Sequence, residues 1–356
     1  MSMAPVWARR GRHPDRDRFG RLDRRARLPL EQPGEECLSR QGLFSRPPHG
    51  PGAAVIVNPH SANQTTRKVW PALCRRLAEA GFDFRWEYTA GPMAAVSLTR
   101  QALREGYETI VSVGGDGTLN EVVNGFFDEN GRPMNPNASL GVISRGTGCD
   151  FVRAAGIPKN ELAAIEKLLA SEPRPIDAGL VRFRGHDGRE TRRFFANIAD
   201  VGLGGETVNR VNHTTKAFGG FASFLIGTIV SLALYVNKDV EIVTDGGEPL
   251  KARVNTVVVA NGQFFGGGMH IAPRARLDSG HFDVAILGNL GRLELLANLP
   301  RVYKGTHLTH PKVSYFTGRH VVLRSPDKVF LDTDGEHPGF LDAEFSILPQ
   351  ALKLRY

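Results

Sequence analysis

The chain has 356 residues, 41% of them hydrophobic and 23% charged, and a formal net charge of +8. That length is more than one core of ~100–150 residues needs, and it points to two domains plus some unpacked sequence. The charge is uneven: residues 1 to 50 hold eleven arginines, no lysine and six acidic residues, so the rest is nearly balanced and shows no basic patch with interleaved aromatics of the nucleic-acid-binding kind.

Residues 1–52, rich in Arg, Pro and Gly, show neither helical nor alternating periodicity and are expected to form a disordered, solvated tail. An electrostatic tether to anionic lipid or nucleic acid is the alternative use of such a segment. No run of about 7 to 15 apolar residues marks a secretory signal. The three cysteines, Cys37, Cys74 and Cys149, lack CxxC spacing. That argues against a zinc site or disulfide framework and fits a reducing cytoplasm.

From Ala53 the texture becomes regular. A strand over 53–57 runs into the turn Asn58-Pro59-His60-Ser61, followed by a helix over 66–80, a strand over 82–88 and a helix over 93–104. Another apolar strand then meets Gly114-Gly115-Asp116-Gly117-Thr118-Leu119-Asn120-Glu121. A fourth strand, 139–143, leads into Ser144-Arg145-Gly146-Thr147-Gly148-Cys149-Asp150. Strands alternating with helices of this length imply βαβ units and a mostly parallel sheet. Loops at the strand carboxyl ends of such a sheet converge, so the turns at Asn58, Gly114 and Gly146 can face one ligand.

Beyond Pro175 the pattern is β-rich, with strands expected near 177–184, 192–199, 239–244, 251–260, 281–287, 319–324 and 328–332, as in a mainly antiparallel sandwich. The fold expected is therefore an N-terminal three-layer α/β domain (53–178) with a mostly parallel sheet, and a C-terminal β-sandwich domain (179–356) whose last segment returns to the first. The apolar stretch from Phe218 to Tyr235 approaches transmembrane length, but its glycines and hydroxyls favour a buried or interface-lying helix.

The chemistry concentrates at the glycines. Missing Cβ atoms let backbone N–H groups approach an anion, and a helix starting after Gly117 points its positive end there. Asp116 can engage a metal, Thr118 offers a hydroxyl, and Asn120 and Glu121 can reach ribose, phosphate or metal ligands. Neither a GxxxxGK[ST] P-loop nor a GxGxxG fingerprint is present. Further on, Asp334-Gly335-Glu336 follows a hydrophobic strand, in a turn that presents two carboxylates.

Taken in order, the segments at 114–121 and 146–151, Pro175-Ile176-Asp177, Gly266-Gly267-Gly268-Met269 and Asp334-Gly335-Glu336 resemble the bacterial diacylglycerol kinase family, related to sphingosine and ceramide kinases. The resemblance begins near Val55. It implies ATP as phosphoryl donor, a nucleotide between the two domains, and a diacylglycerol-like or sphingoid lipid as acceptor. It places Asn58, Pro59, His60, Ser61, Ala62, Thr89, Gly115 to Glu121 and Thr147 along the nucleotide. It also assigns Mg2+ to an acidic cluster of Asp116, Asp150 and Asp177, acting partly through water, and makes Glu336 the general base, with Asp334 in support.

The chain departs from the family pattern at several positions. Ser144 and Cys149 replace a proline and an asparagine, and Asn63 stands where some members carry a lysine. Family members with a second, structural magnesium use a carboxylate at the position of Ser279 with carbonyls at Arg276 and His281, so a hydroxyl there should weaken that site. The remaining implications are a cytoplasmic protein with peripheral contact at the inner face of the membrane, no nucleic-acid partner, and compatibility with a homodimer. Two other readings remain open: a soluble-acceptor kinase of the NAD kinase type, and a catalytically silent nucleotide- or lipid-sensing regulator.

Overall fold

A computed structural model describes residues 35–42, 52–213, 227, 230–231 and 234–356. Most of the apolar stretch 218–235, and the tail before residue 35, lie outside the described residues. The first half runs α1 (Glu35–Ser39), β1 (Ala53–Val57), α2 (Thr66–Glu79), β2 (Phe84–Tyr88), α3 (Ala94–Arg104), β3 (Thr109–Gly114), α4 (Asp116–Gly125), β4 (Ser139–Ser144), α5 (Asp150–Ala154) and α6 (Glu161–Ala170).

The second half begins with β5 (Pro173–Gly185), β6 (Glu190–Phe195), β7 (Ile198–Gly202) and α7 (Leu203–His213), followed by β8 (Lys238–Thr244), β9 (Leu250–Val254) and β10 (Thr256–Ala260). After the two-residue strands β11 (Phe264–Phe265) and β12 (Met269–His270) come β13 (Phe282–Leu287), α8 (Arg292–Tyr303), β14 (Val313–Gly318), β15 (His320–Arg324), β16 (Phe330–Thr333) and β17 (Glu336–Arg355).

Strands β1, β3 and β4 are buried along their whole length, as parallel strands covered on both faces must be. Alternate residues serve opposite layers. Ala54, Ile56 and Ile110 pack with Leu119, Val122 and Val123 of α4, whereas Val55, Val57, Val111 and Val113 pack with Trp70, Leu73 and Leu77 of α2. The order β4-β3-β1-β2 sets the carboxyl ends of β1, β3 and β4 side by side, which brings the three turns together.

The second half is antiparallel, in the order β14-β13-β10-β7-β16-β17. Two of the expected strands are interrupted: 251–260 breaks at Asn255, whose N–H turns to the carbonyls of Leu287 and Gly288, and 192–199 breaks between β6 and β7. Strand β17 pairs with β16, β15 and β5 in turn, and its end, Leu354 opposite Leu140, lies parallel to β4. One strand thus belongs to both sheets. Across the same junction Asn124 accepts from the Phe194 N–H (2.9 Å) and donates to its carbonyl (2.8 Å), while Phe127 stacks on the Phe194 ring at 3.9 Å.

Two expectations for the N-terminal segment are corrected. Residues 35–42 are ordered against the edge strand β2: Trp86 donates to the carbonyl of Arg40 from its backbone and to that of Cys37 from its indole, and Gly42 donates to the Trp86 carbonyl. Cys37 is also joined to Cys74 of α2 by a disulfide, with both residues buried. The arginine-rich composition hid this stretch, since what orders it is an unpaired sheet edge supplied from elsewhere. With this disulfide formed, cysteine usage gives no support to a reducing compartment.

Candidate active site

The three turns meet as expected, and their glycines are required by contact. A Cβ on Gly146 would lie 2.7 Å from the Gly115 α-carbon, so the first two glycine loops touch backbone to backbone. Arg145 locks the third turn in place: its guanidinium donates to Glu161, to Thr66 Oγ1 (3.1 Å) and to Thr65 Oγ1 (3.0 Å). Asn58 accepts from the His60 N–H and donates to Thr118 Oγ1, both at 2.9 Å. Ala62, Asn63 and Gln64 follow with φ of 51°, 53° and 65°, a left-handed run in which asparagine is the most tolerant side chain. Asn63 therefore suits the turn's backbone, although it offers no cation to a phosphate.

Around this cleft the residues assigned to the nucleotide divide into two groups. Asn58, His60, Ser61, Ala62, Thr89, Gly115, Asp116, Gly117, Thr118, Glu121 and Thr147 line one cavity of about 1220 Å³. Pro59, Leu119 and Asn120 do not line it; all three are buried. Leu119 belongs to the hydrophobic core, and the Asn120 amide donates to the Phe194 carbonyl and to Asp334. Glu121 has its carboxylate committed to the backbone N–H groups of Met93 (2.8 Å) and Ala95 (3.1 Å), where it caps α3 and holds the loop after Thr89.

The acidic cluster divides in the same way. Asp116 opens α4 and Asp150 opens α5, and a Cβ on Gly148 would lie 2.9 Å from Asp116 Oδ2 and 3.2 Å from Asp150 Oδ2. Both carboxyls border one small space. Burial raises the Asp116 carboxyl, and burial together with the Asp116 charge pushes Asp150 to about 6. Backbone N–H groups at the start of α5 donate to Asp116, and Asp150 accepts from the Gly267 N–H (2.7 Å) and pairs with Arg153 (3.5 Å). Two neighbouring, mutually repelling carboxylates on one cavity remain compatible with a hard cation, because magnesium is commonly held by one or two carboxylates plus substrate phosphates. Among the described residues no cluster of three acidic, His or Cys side chains forms a closed cage.

Asp177 and the second metal position do not fit a cation. Both Asp177 oxygens accept backbone N–H groups, from Gly280 at 2.6 Å and Gln350 at 2.8 Å. Asp177 is thus a buried brace for two loops. Ser279 donates its hydroxyl to the His281 carbonyl at 2.8 Å and its backbone N–H to the Arg276 carbonyl at 3.3 Å, so the residue in the carboxylate's place bonds to both expected carbonyls and brings no negative charge.

The Asp334-Gly335-Glu336 turn stands opposite the first glycine loop. Asp334 accepts from Asn120 (3.0 Å) and from the N–H groups of Ala196 (3.0 Å), Asn197 (3.1 Å) and Ile198 (2.9 Å), and both its oxygens are used. Burial raises its carboxyl, and these four donors oppose the rise. Its carboxylate ties α4 to the segment between β6 and β7. Glu336, on the exposed side of the turn, sets Oε1 2.6 Å from where a Cβ on Gly117 would stand. A side chain at 117 would make the carboxylate shift from this place.

Part of the same cavity's wall is apolar, a chamber lined by Phe265, Met269, Ile271, Leu295, Leu299 and Val302. The last three come from α8, a helix the sequence reading did not anticipate. Asp332, at the chamber edge, and Asp200, its cross-strand neighbour, were also missed. Their signal was present as carboxylates inside the otherwise apolar strands Ile198–Gly202 and Phe330–Thr333.

Comparison with known proteins matches residues 52–181 to a family described as the diacylglycerol kinase catalytic domain, and residues 198–356 to one described as a YegS C-terminal NAD kinase beta sandwich-like domain. A protein of Staphylococcus carnosus named diacylglycerol kinase is 30% identical over 302 residues, covering 85% of this chain and 94% of that one. The chain belongs to the diacylglycerol kinase family.

A Bacillus subtilis family member of the same name is 29% identical, covering 82% of this chain and 92% of its own. A crystal structure of a diacylglycerol kinase from Bacillus anthracis shares the fold at a TM-score of 0.61 and 18% identity, covering 87% of this chain and 98% of that one. Family membership bears out the fold expected from the sequence and the reading of the chain as an enzyme of the lipid kinase class.

Proposed function

We propose that this chain transfers the γ-phosphoryl group of ATP to a primary hydroxyl of a lipid, with Glu336 as general base. The observation that carries the reading is the seat of Glu336 against Gly117, in one cavity lined both by the glycine loops and by apolar side chains. A hydroxyl entering from the chamber meets the carboxylate beside the phosphate-facing loops. The lipid oxygen forms the new bond to phosphorus, the bond from the γ-phosphorus to the bridging oxygen of ADP breaks, and the hydroxyl proton goes to Glu336.

Asp116 and Asp150 would hold magnesium, partly through water, and that ion would neutralise charge on the phosphates. The side-chain inventory supports this need. Arg145 is the sole Arg or Lys among the described residues lining the cavity, and it is paired with Glu161. Arg145 therefore ties loops together and leaves phosphate charge to the metal and the backbone.

Contact with a bilayer fits the outer face of α8. Leu293 is 83% exposed and Leu296 43%, on the helix whose opposite side lines the chamber. No helix among the described residues is long and apolar enough to cross a membrane.

The test is transfer of labelled γ-phosphate to lipid in mixed micelles, with NAD offered in parallel and Glu336→Gln as the control. Label in lipid that vanishes in the variant, with ATP binding retained, supports the reading. Normal turnover by Glu336→Gln removes Glu336 as the base, and label in NAD alone replaces the lipid acceptor with a soluble one.

A further inference from the structure

The three turns of the cleft are tied to one another through Arg145. Its backbone N–H donates to the Gly114 carbonyl at 2.6 Å, which joins the third turn to the second. Its side chain joins the third turn to the first. Nη2 donates to Thr65 Oγ1 (3.0 Å) and Nε to Thr66 Oγ1 (3.1 Å), while Nη1 is held by Glu161 at the start of α6. Each guanidinium nitrogen is thus spent on a protein oxygen, in a side chain only 11% exposed.

The two threonines pass this hold to the rest of the first turn. Thr65 Oγ1 donates to the Ala62 carbonyl (2.7 Å) and Thr66 Oγ1 to that of Ser61 (3.1 Å), and Ser61 Oγ donates to the Asn58 carbonyl (2.9 Å). Asn58 closes the circuit through its amide bond to Thr118 of the second turn. The left-handed residues Ala62, Asn63 and Gln64 line the cavity inside this circuit, and none is a glycine, so their backbone has to be held by its surroundings.

The third turn itself is held by side chains. Ser144 Oγ donates to Cys149 Sγ and the Cys149 thiol to the Gly146 carbonyl, both at 3.1 Å. These are the two positions at which the chain departs from the proline and asparagine of the family pattern. A proline's fixed φ is replaced there by hydrogen bonds, with Arg145 between the two substituted positions.

We propose that Arg145 is a positioning residue for phosphoryl transfer: clasped by Glu161, it sets the spacing of the first and third turns at which they accept the phosphates of ATP, and it acts through Thr65 and Thr66 without itself touching a phosphate. This rests on reading the cavity as a kinase site. Arg145 is the sole Arg or Lys among the described residues lining the cavity, and the rival role for it is direct phosphate contact, with Glu161 restraining it until ATP arrives. The two roles have opposite consequences at Glu161. Breaking a clasp loosens the turns and weakens ATP, whereas releasing a restrained cation strengthens it. Lysine at 145 separates them again, because an ammonium keeps the charge but cannot reproduce a planar fork that spans Thr65, Thr66 and Glu161.

The test measures magnesium–ATP affinity by calorimetry, and KM and kcat for transfer to a short-chain diacylglycerol in mixed micelles, in the full-length parent, Arg145→Lys, Glu161→Gln and the double variant, with melting temperatures alongside. Arg145→Lys is expected to weaken ATP by at least ~10-fold and Glu161→Gln by at least ~3-fold, with kcat falling less than ~3-fold and KM for the lipid unmoved. The double variant should be no weaker than Arg145→Lys alone, since both changes open the same clasp. Tighter ATP binding by Glu161→Gln, parental affinity in Arg145→Lys, or a rise in lipid KM equal to that for ATP overturns the inference and leaves the kinase reading standing. A parent that binds no magnesium–ATP overturns both.

Discussion

Glu336 Oε1 occupies the position that a side chain on Gly117 would take, 2.6 Å from where a Cβ would stand. The glycine and the carboxylate are 219 residues apart in sequence and complementary in space. Gly117→Ala should therefore displace the carboxylate without harming the helix, since alanine is the better helix former. Turnover is expected to fall ~100-fold or more, because a misplacement of about 1 Å at a reacting group costs that much. Single-turnover phosphoryl transfer measured beside the melting temperature checks this: a variant as stable and as active as the parent would show that Glu336 is not held where it matters.

Asp334 makes a separable prediction. Asparagine there supplies one acceptor in place of two and turns an N–H2 group toward N–H donors. Asp334→Asn should cost ~2–4 kcal/mol in denaturant unfolding and lower kcat more than it weakens ATP. A variant with parental stability would contradict the four hydrogen bonds assigned to this side chain.

The buried pair sets a pH dependence. The folded Asp200 carboxyl is raised to about 6 from its usual 3.8, chiefly by burial. A raised acid stabilises the fold while protonated, so this contribution is complete below about pH 4 and is lost as pH rises through about 6. Above that, the charged pair counts against the fold. Asp200→Asn should be more stable than the parent by on the order of 2 kcal/mol at pH 8, with the gap closing toward pH 4. Unfolding curves at the two pH values decide it, and a gap that does not change with pH would be the contrary result.

The Cys37–Cys74 disulfide closes a loop with a sequence separation of 37. Cys37→Ser should lower stability by ~2–4 kcal/mol, and a reductant should do the same to the parent but not to the variant. Thiol counting by mass spectrometry under denaturing conditions provides the direct check, with three free thiols in untreated protein being the result that fails.

The parallel sheet was legible because each β-strand ends in a glycine- or asparagine-bearing turn, and local chemistry of that kind does not depend on distant contacts. Asp116 and Gly117 could be named for the same reason, whereas the roles expected of Asp150 and Glu336 came from the family resemblance. Asn120 and Glu121 were assigned to the nucleotide, since an amide and a carboxylate after a glycine loop look alike whether they face a ligand or a neighbouring backbone. Only the packing of α4 against α3 and β6 shows that they brace Asp334 and cap α3.

Sequence by itself determined the alternating strands and helices of the first half, the three glycine- and asparagine-bearing turns and the family, all of which are carried by residues within a few positions of one another. Tertiary structure alone decided which distant groups hold Asp177 and Asp334, that Cys37 reaches Cys74, and that Asp200 and Asp332 face each other across two strands. The physical reason is that a buried carboxylate's surroundings depend on which donors reach it. Those donors come from segments as far apart as Gly280 and Gln350 around Asp177, or Asn120 and Ile198 around Asp334, which meet only when the two sheets are joined through β17.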